Sequence, residues 1–185
     1  MIEGINGSGK TTIAKMLVKH LSKIGYSALY TYEPTNGPIG KLIRKYLREV
    51  KVRDYILEAL LFAADRRWHI KNVIIPSLQE YDYVVCDRYV YSSLAYQVSE
   101  KLPLNWLLTI NKDVLNPDIT ILLDANPSIC IGRISKKYSF ISHVDLNIVR
   151  KNYLSLSKKF NFKVINAERG LNEVLNDVIE VVIRR

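Results

Sequence analysis

Nine residues near the start of the chain, GINGSGKTT from Gly4 to Thr12, constrain its fold more than any other stretch. They satisfy the Walker A spacing at every required position: Gly4, four free residues, Gly9, Lys10 and Thr11. The glycines let the backbone curl so that successive N–H groups point inward at phosphate oxygens, and a following helix adds the positive end of its dipole. The expected phosphate cradle is Gly4, Asn6, Gly7, Ser8, Gly9, Lys10, Thr11 and Thr12, with Lys10 reaching the β- and γ-phosphates and the Thr11 hydroxyl ligating Mg²⁺. A Gly/Ser turn that merely caps a helix has no need of Lys-Thr directly after its last glycine. Ile13, Leu17, Val18 and Leu21 recur at helical spacing and Gly25 closes the segment, so the loop leads into a helix. A buried strand is expected before the loop, yet only Met1, Ile2 and Glu3 precede Gly4. Either the chain starts inside that strand, or the strand is a stub that forgoes ladder hydrogen bonds and buried side chains.

At 185 residues the chain is expected to form one domain, and 48% hydrophobic with 24% charged residues is ordinary for a soluble enzyme. No apolar run reaches membrane-spanning length and no secretory signal precedes Gly4, so a cytoplasmic protein is expected. Cys86 and Cys130 lie in unrelated contexts without a metal or redox motif and read as buried, reduced thiols. His20, His69 and His143 are scattered and point to neither metal binding nor a catalytic triad. The formal net charge of +9 is spread over short pairs such as Lys136-Lys137, Lys158-Lys159 and Arg184-Arg185. Without an aromatic-interleaved basic stripe this argues against nucleic acid; a substrate with several phosphates and solvated helix faces account for the charge.

Short apolar runs alternate with longer helical patterns. The segments 27–32 (SALYTY), 83–87 (YVVCD), 119–124 (ITILLD) and 162–166 (FKVIN) read as buried strands. Helical patterns fall near 10–24, 38–49, 53–80, 90–111, 127–137, 144–160 and 171–183. This alternation predicts an α/β fold, a parallel sheet with helices on both faces, whose ligands bind at the carboxyl ends of the strands. Three further segments accompany those ends: EPTNGPIGKLIR, LLFAADRRWH and DRYVYSSLAYQ. Each sets Arg beside carboxylates, hydroxyls or aromatics, the mixture expected where a second anion and a flat base are bound together.

In this order the motifs EGINGSGKTT, EPTNGPIGKLIR, LLFAADR and DRYVYSSLAYQ resemble those of the thymidylate kinase family, and weaker similarity runs on through ITILLDANP, VRKNYLSLSKKF and VINAERGLNEV. The resemblance implies a three-layer P-loop fold with a five-stranded parallel sheet and a short lid, here near 135–145. It implies transfer of a phosphoryl group from Mg-ATP to dTMP by a homodimer whose helices near 53–75 and 90–111 pack across a two-fold axis. Lys10, Asp87, Arg88 and Arg133 would be catalytic, Arg133 also lying near adenine, and Thr11 and Asp87 would attend the metal. Glu33, Arg44, Phe62, Arg66, Arg88, Ser93, Tyr96 and Gln97 would hold dTMP.

Plain readings stand beside these. Arg44 could be a solvated helix residue, Phe62 and Tyr96 core residues, Asp87 a helix cap and Asp124 a turn or cap. Adjacent Arg66 and Arg67 face different ways on a helix, and the family spacing selects Arg66, leaving Arg67 and Trp68 to surface and packing. The chain also departs from the family. Gly7 stands where some members carry an arginine, and the lid offers Lys136 and Lys137 instead, so the charge could shift to Arg133 or Arg150; Asn6 replaces a common acidic residue. A kinase of another pyrimidine nucleotide or deoxynucleoside, or a non-kinase P-loop switch, are the alternatives. A nucleoside kinase would need a base for a neutral hydroxyl, often Glu at a strand end, where this chain has Asp87.

Overall fold

A computed structural model describes residues 1–99, 102–134 and 145–184. It contains a five-stranded sheet in the order β2-β3-β1-β4-β5, all pairs parallel. The strands are β1 (Ile2–Glu3), β2 (Ala28–Tyr32), β3 (Tyr83–Asp87), β4 (Ile121–Asp124) and β5 (Lys163–Asn166). The helices are α1 (Lys10–Lys23), α2 (Pro38–Glu49), α3 (Tyr55–His69), α4 (Ile75–Glu80), α5 (Val90–Ser99), α6 (Leu104–Ile110), α7 (Pro127–Arg133), α8 (Leu146–Lys159) and α9 (Leu171–Ile183).

The central strand is a stub of two residues, paired through Ile2 with Asp87 and Ile121 and through Glu3 with Leu122. Neighbouring groups extend its ladder. The Ile121 N–H donates to the Met1 carbonyl at 3.0 Å and the Arg88 N–H to the Ile2 carbonyl at 3.0 Å. The terminal amine donates to the Ile119 carbonyl at 2.6 Å. Ile2 and Glu3 are both buried, so the stub still adds side chains to the interior.

Connection handedness sets the layers. The step from β1 to β2 through α1 runs one way along the sheet, whereas β2 to β3, β3 to β4 and β4 to β5 run the other way. Right-handed crossovers then put α1 on one face and the helices of the later steps on the other. α9 packs on α1, and α5 packs on α8. The core joins Ile13, Leu17 and Leu21 of α1 to Ile2, Leu122, Val174 and Val178, with Leu94, Val149 and Tyr153 in the same cluster. The direction in which strands are added along the sheet reverses between β1 and its parallel neighbour β3, and the crevice at their carboxyl ends is where such sheets bind ligands.

Three helical segments differ from the expected bounds. The run 53–80 stays helical from Tyr55 to Glu80 but contains a π-helical turn, Ile70–Ile74, just before Pro76. Proline lacks an N–H and its ring crowds the carbonyl four residues back, and a wide turn absorbs both effects. The run 90–111 is broken, α5 ending at Ser99 and α6 starting at Leu104 with Pro103 as its cap. Helix α7 stops at Arg133, where Ile134 turns extended. Of the expected lid, 135–144 lie outside the described residues, Lys136 and Lys137 with them; Asp145 caps α8 by accepting from the Asn147 N–H at 2.8 Å. Among the described residues no helix is long and apolar enough to cross a membrane.

Candidate active site

The loop from Gly4 to Gly9 joins β1 to α1 at the head of the crevice, and its turn closes with the Ser8 N–H on the Ile5 carbonyl at 3.2 Å. Gly7 has φ 80, and a β-carbon there would lie 2.2 Å from the Cys130 carbonyl oxygen of α7. Position 7 therefore has no room for a side chain, which rules out an arginine at that point of this loop. Lys10 is buried, its ammonium donating to the Ile5 carbonyl at 2.6 Å and lying 3.4 Å from Ser8 Oγ. Burial, reinforced by the nearby Arg88 charge, pushes the Lys10 pKa down to about 7.

Across the crevice, the Thr11 hydroxyl donates to Asp87 Oδ2 at 2.5 Å and the Tyr30 hydroxyl reaches the same oxygen at 3.3 Å. Asp87 Oδ1 is buried without a partner. Asp87 does not act as a cap. The N–H groups opening α5 are taken by Glu3, whose Oε1 accepts from Tyr89 N at 2.9 Å and Ser92 N at 3.2 Å. Glu3 Oε2 accepts from Ser92 Oγ at 2.6 Å and the Tyr153 hydroxyl at 2.9 Å. Burial pushes the Glu3 carboxyl up, against the pull of these donors and of Arg88.

Arg88 follows Asp87 with φ 66, a left-handed conformation that costs a non-glycine residue about 1–3 kcal/mol and recurs at functional sites. Its guanidinium bonds Asn6 Oδ1 and donates to Ser92 Oγ at 3.2 Å, and its carbon lies 5.3 Å over the Tyr96 ring. The Tyr96 hydroxyl accepts from the Asn6 N–H at 3.0 Å, which ties α5 to the phosphate loop.

A second group forms around the loop after β2. Arg44 donates to the Pro34 carbonyl at 2.7 Å and the Thr35 carbonyl at 2.6 Å, so it is a structural anchor of that loop and not merely a solvated helix residue. Asp65 of α3 accepts from the Thr35 N–H at 2.7 Å and its hydroxyl at 2.6 Å. Gly40 lets α2 approach, since a β-carbon there would lie 2.0 Å from the Thr35 carbonyl oxygen. Arg66 is 1% exposed and donates to Asn111 Oδ1 at 2.6 Å, Ser93 Oγ at 2.9 Å and the Tyr89 carbonyl at 3.2 Å. It lies 2.8 Å from Glu33 Oε2, while its Nε is unpartnered. Gln97, one turn beyond Ser93, is buried with Oε1 unpartnered. Phe62, one turn before Arg66, is half-buried and stands apart from the main core cluster. Arg67 is exposed and Trp68 lies against Gly37.

The structure thus gathers Lys10, Thr11, Asp87, Arg88, Asn6 and Tyr96 at one end of the crevice and Glu33, Arg66 and Ser93 at the other. A cavity of about 720 Å³ extends from the loop past Arg133, Ala167 and Arg169. Arg133 sits at this cavity with its guanidinium on the Ala167 carbonyl at 2.9 Å, so the loop after β5 holds it. Arg150 is held by both oxygens of Asp124, at 2.7 and 2.8 Å. Asp124 is therefore an ion-pair partner and not a cap; Asn126 caps α7. Asp65, Asn111 and Arg169 carry no role in the sequence reading, which sets His69 aside as one of three scattered histidines. Asp65 and His69 nonetheless fall within LLFAADRRWH and Arg169 within VINAERGLNEV, which is the local signal they offer.

A phosphate loop after the central strand of a parallel sheet, faced by Asp87 and Arg88 at the end of the next strand, defines a P-loop nucleotide-binding protein. Comparison with known sequences narrows this. A model of the thymidylate kinase family matches residues 2–178. A probable thymidylate kinase of Pyrococcus horikoshii is 43% identical over 192 residues, covering 98% of this chain and 94% of that protein. Another from Staphylothermus marinus is 41% identical over 187 residues, covering 99% and 93%. The chain belongs to the thymidylate kinase family.

Proposed function

We propose that this chain transfers the γ-phosphoryl group of Mg-ATP to dTMP in the crevice between β1 and β3. The observation that carries the assignment of roles is the Thr11–Asp87 contact at 2.5 Å with the other Asp87 oxygen buried and unpartnered. A hydroxyl and a carboxylate oxygen are the hard donors that Mg²⁺ takes, and phosphates and water would complete its shell. When bound, Mg²⁺ would neutralise charge on the phosphates of the donor.

The residues of the chain do the rest. Backbone N–H groups of Gly4 to Thr12 cradle the donor phosphates, and Lys10 and Arg88 neutralise charge on the equatorial oxygens of a loose transition state. Arg44 and Arg88 flank the acceptor phosphate, and Glu33, Phe62, Arg66, Ser93, Tyr96 and Gln97 enclose the nucleoside. The unpartnered Arg66 Nε and Gln97 Oε1 support this, because a buried donor and acceptor without partners are costly unless a ligand meets them. The attacking oxygen belongs to a phosphate already anionic near neutral pH, so no general base is assigned. Arg133 and Arg169 border the cavity beyond the phosphate loop, where the base of the donor nucleotide would lie.

The chain acts as one catalytic unit and as a homodimer in this reading. An apolar groove of about 390 Å³ among Ile56, Leu102, Pro103 and Trp106, beside exposed Tyr55, Leu57 and Leu60, supports a second copy as partner. The free, buried thiols of Cys86 and Cys130 suit the cytoplasm. The test is ADP release with Mg-ATP against dTMP, dUMP, UMP, dCMP and thymidine. Clear preference for dTMP, abolished in Lys10→Ala, is expected; preference for thymidine or turnover of no monophosphate would sink the reading.

A further inference from the structure

We propose that His69 is a positioning residue that sets the Glu33 carboxylate, and through it Arg66, at the monophosphate end of the crevice. This rests on the assignment of Glu33 and Arg66 to dTMP. His69 is the last residue of α3 and is fully buried. Its ring stands between two residues of one chain segment, with Nε2 2.6 Å from Thr31 Oγ1 and Nδ1 3.1 Å from Glu33 Oε1. Thr31 and Glu33 are two apart along an extended chain, which puts both side chains on the same side. One neutral tautomer satisfies both contacts: Nδ1–H donates to Glu33 and Nε2 accepts from the Thr31 hydroxyl.

The carboxylate needs this support. Glu33 Oε2 lies 2.8 Å from Arg66 Nη2 but makes no aligned hydrogen bond with it. The ion pair therefore supplies attraction and little direction, and directional control comes from the imidazole on the other oxygen. Arg66 is held by Asn111, Ser93 and the Tyr89 carbonyl, and its Nε is buried without a partner. A carboxylate free to rotate would draw the guanidinium off that geometry. A ring that fixes Glu33, anchored through Thr31 on β2, holds the guanidinium in place.

The experiment compares His69→Leu, His69→Gln, Thr31→Val and Arg66→Ala by steady-state kinetics in both substrates and by thermal unfolding. His69→Leu should raise KM for dTMP about tenfold and leave KM for ATP within about twofold. His69→Gln, whose amide can donate to Glu33 and accept from Thr31, should recover most of the loss. Thr31→Val should show a smaller shift of the same kind, and none when added to His69→Leu. Unchanged KM for dTMP in His69→Leu or Thr31→Val, or equal rises in both KM values, would overturn the proposal while Arg66→Ala still impairs dTMP. If Arg66→Ala leaves KM for dTMP unchanged, the assignment of the monophosphate site falls and the proposal with it. Should His69→Leu fail to fold, Thr31→Val and His69→Gln decide by the same KM comparison.

Discussion

Lys10 is the residue on which the chemistry turns, and its burial makes the site sensitive to pH. With its pKa lowered to about 7, the ligand-free ammonium loses its proton near neutrality, whereas donor phosphates need it charged. Above pH 7 nucleotide binding must therefore take up a proton, and affinity for ATP should fall by up to tenfold per pH unit. Below that pH Lys10 is already charged and contributes no slope. The sign for folding is opposite. The unfolded chain, with Lys at 10.5, binds more protons than the folded one between about 7 and 10.5, so the folded state gains stability as pH rises through that window. Calorimetric titration of ATP between pH 6 and 9, in buffers of different ionisation heat, should show proton uptake appear above about pH 7. Unfolding of Lys10→Met should lack the corresponding rise in stability with pH. A pH-independent ATP affinity would show that Lys10 stays charged or lies off the phosphates.

At the scale of elements, the close contact is α7 against the phosphate loop. With φ 80 and a carbonyl 2.2 Å from its missing β-carbon, Gly7 lets the Cys130 turn of α7 rest directly on the cradle. Gly7→Ala adds left-handed strain of about 1–2 kcal/mol and forces loop and helix apart. The expected result is a fall in Tm of about 4–8 °C, from a loss of about 2 kcal/mol at this chain length, with KM for ATP raised more than KM for dTMP. Normal ATP affinity in Gly7→Ala would mean that the loop and α7 part without consequence. The same scale shows why some of the site was legible in the sequence and some was not. Gly4 to Thr12 act through their own backbone, so their spacing carries the chemistry. His69, Asn111 and Asp65 act through partners on β2, on α3 and in the loop after β2, so a place in a motif does not by itself tell their role. Pro103 and Pro76 were visible, but apolar periodicity through 90–111 and 53–80 masked a break in one and a π turn in the other. The strand ends stood out because β-branched and apolar runs stop there against Asp, Glu or Asn.

At the scale of the whole molecule, charge and apolar surface pull in opposite directions. A net charge of +9 makes two copies repel, while Tyr55, Ile56, Leu57 and Leu60 form an exposed apolar run at the start of α3, Ile56 being 54% exposed. An interface built from this run and the groove beside Trp106 would gain from burial and lose to repulsion. Salt screens the repulsion, with a Debye length of about 10 Å at 0.1 M shrinking to about 3 Å at 1 M, so association should tighten as salt is raised. Sedimentation should give twice 21.3 kDa at micromolar concentration, with a dissociation constant that falls between about 0.05 and 0.5 M salt. Ile56→Asp, which sets a charge in the groove, should yield a monomer whose Tm stays near the wild-type value under dilution, because Ile56 is 54% exposed and not one of the buried core residues. A monomer at all salt concentrations would remove the second copy from the reading and leave the run on α3 without a partner. Association that weakens with salt would place the contact elsewhere, between charged faces.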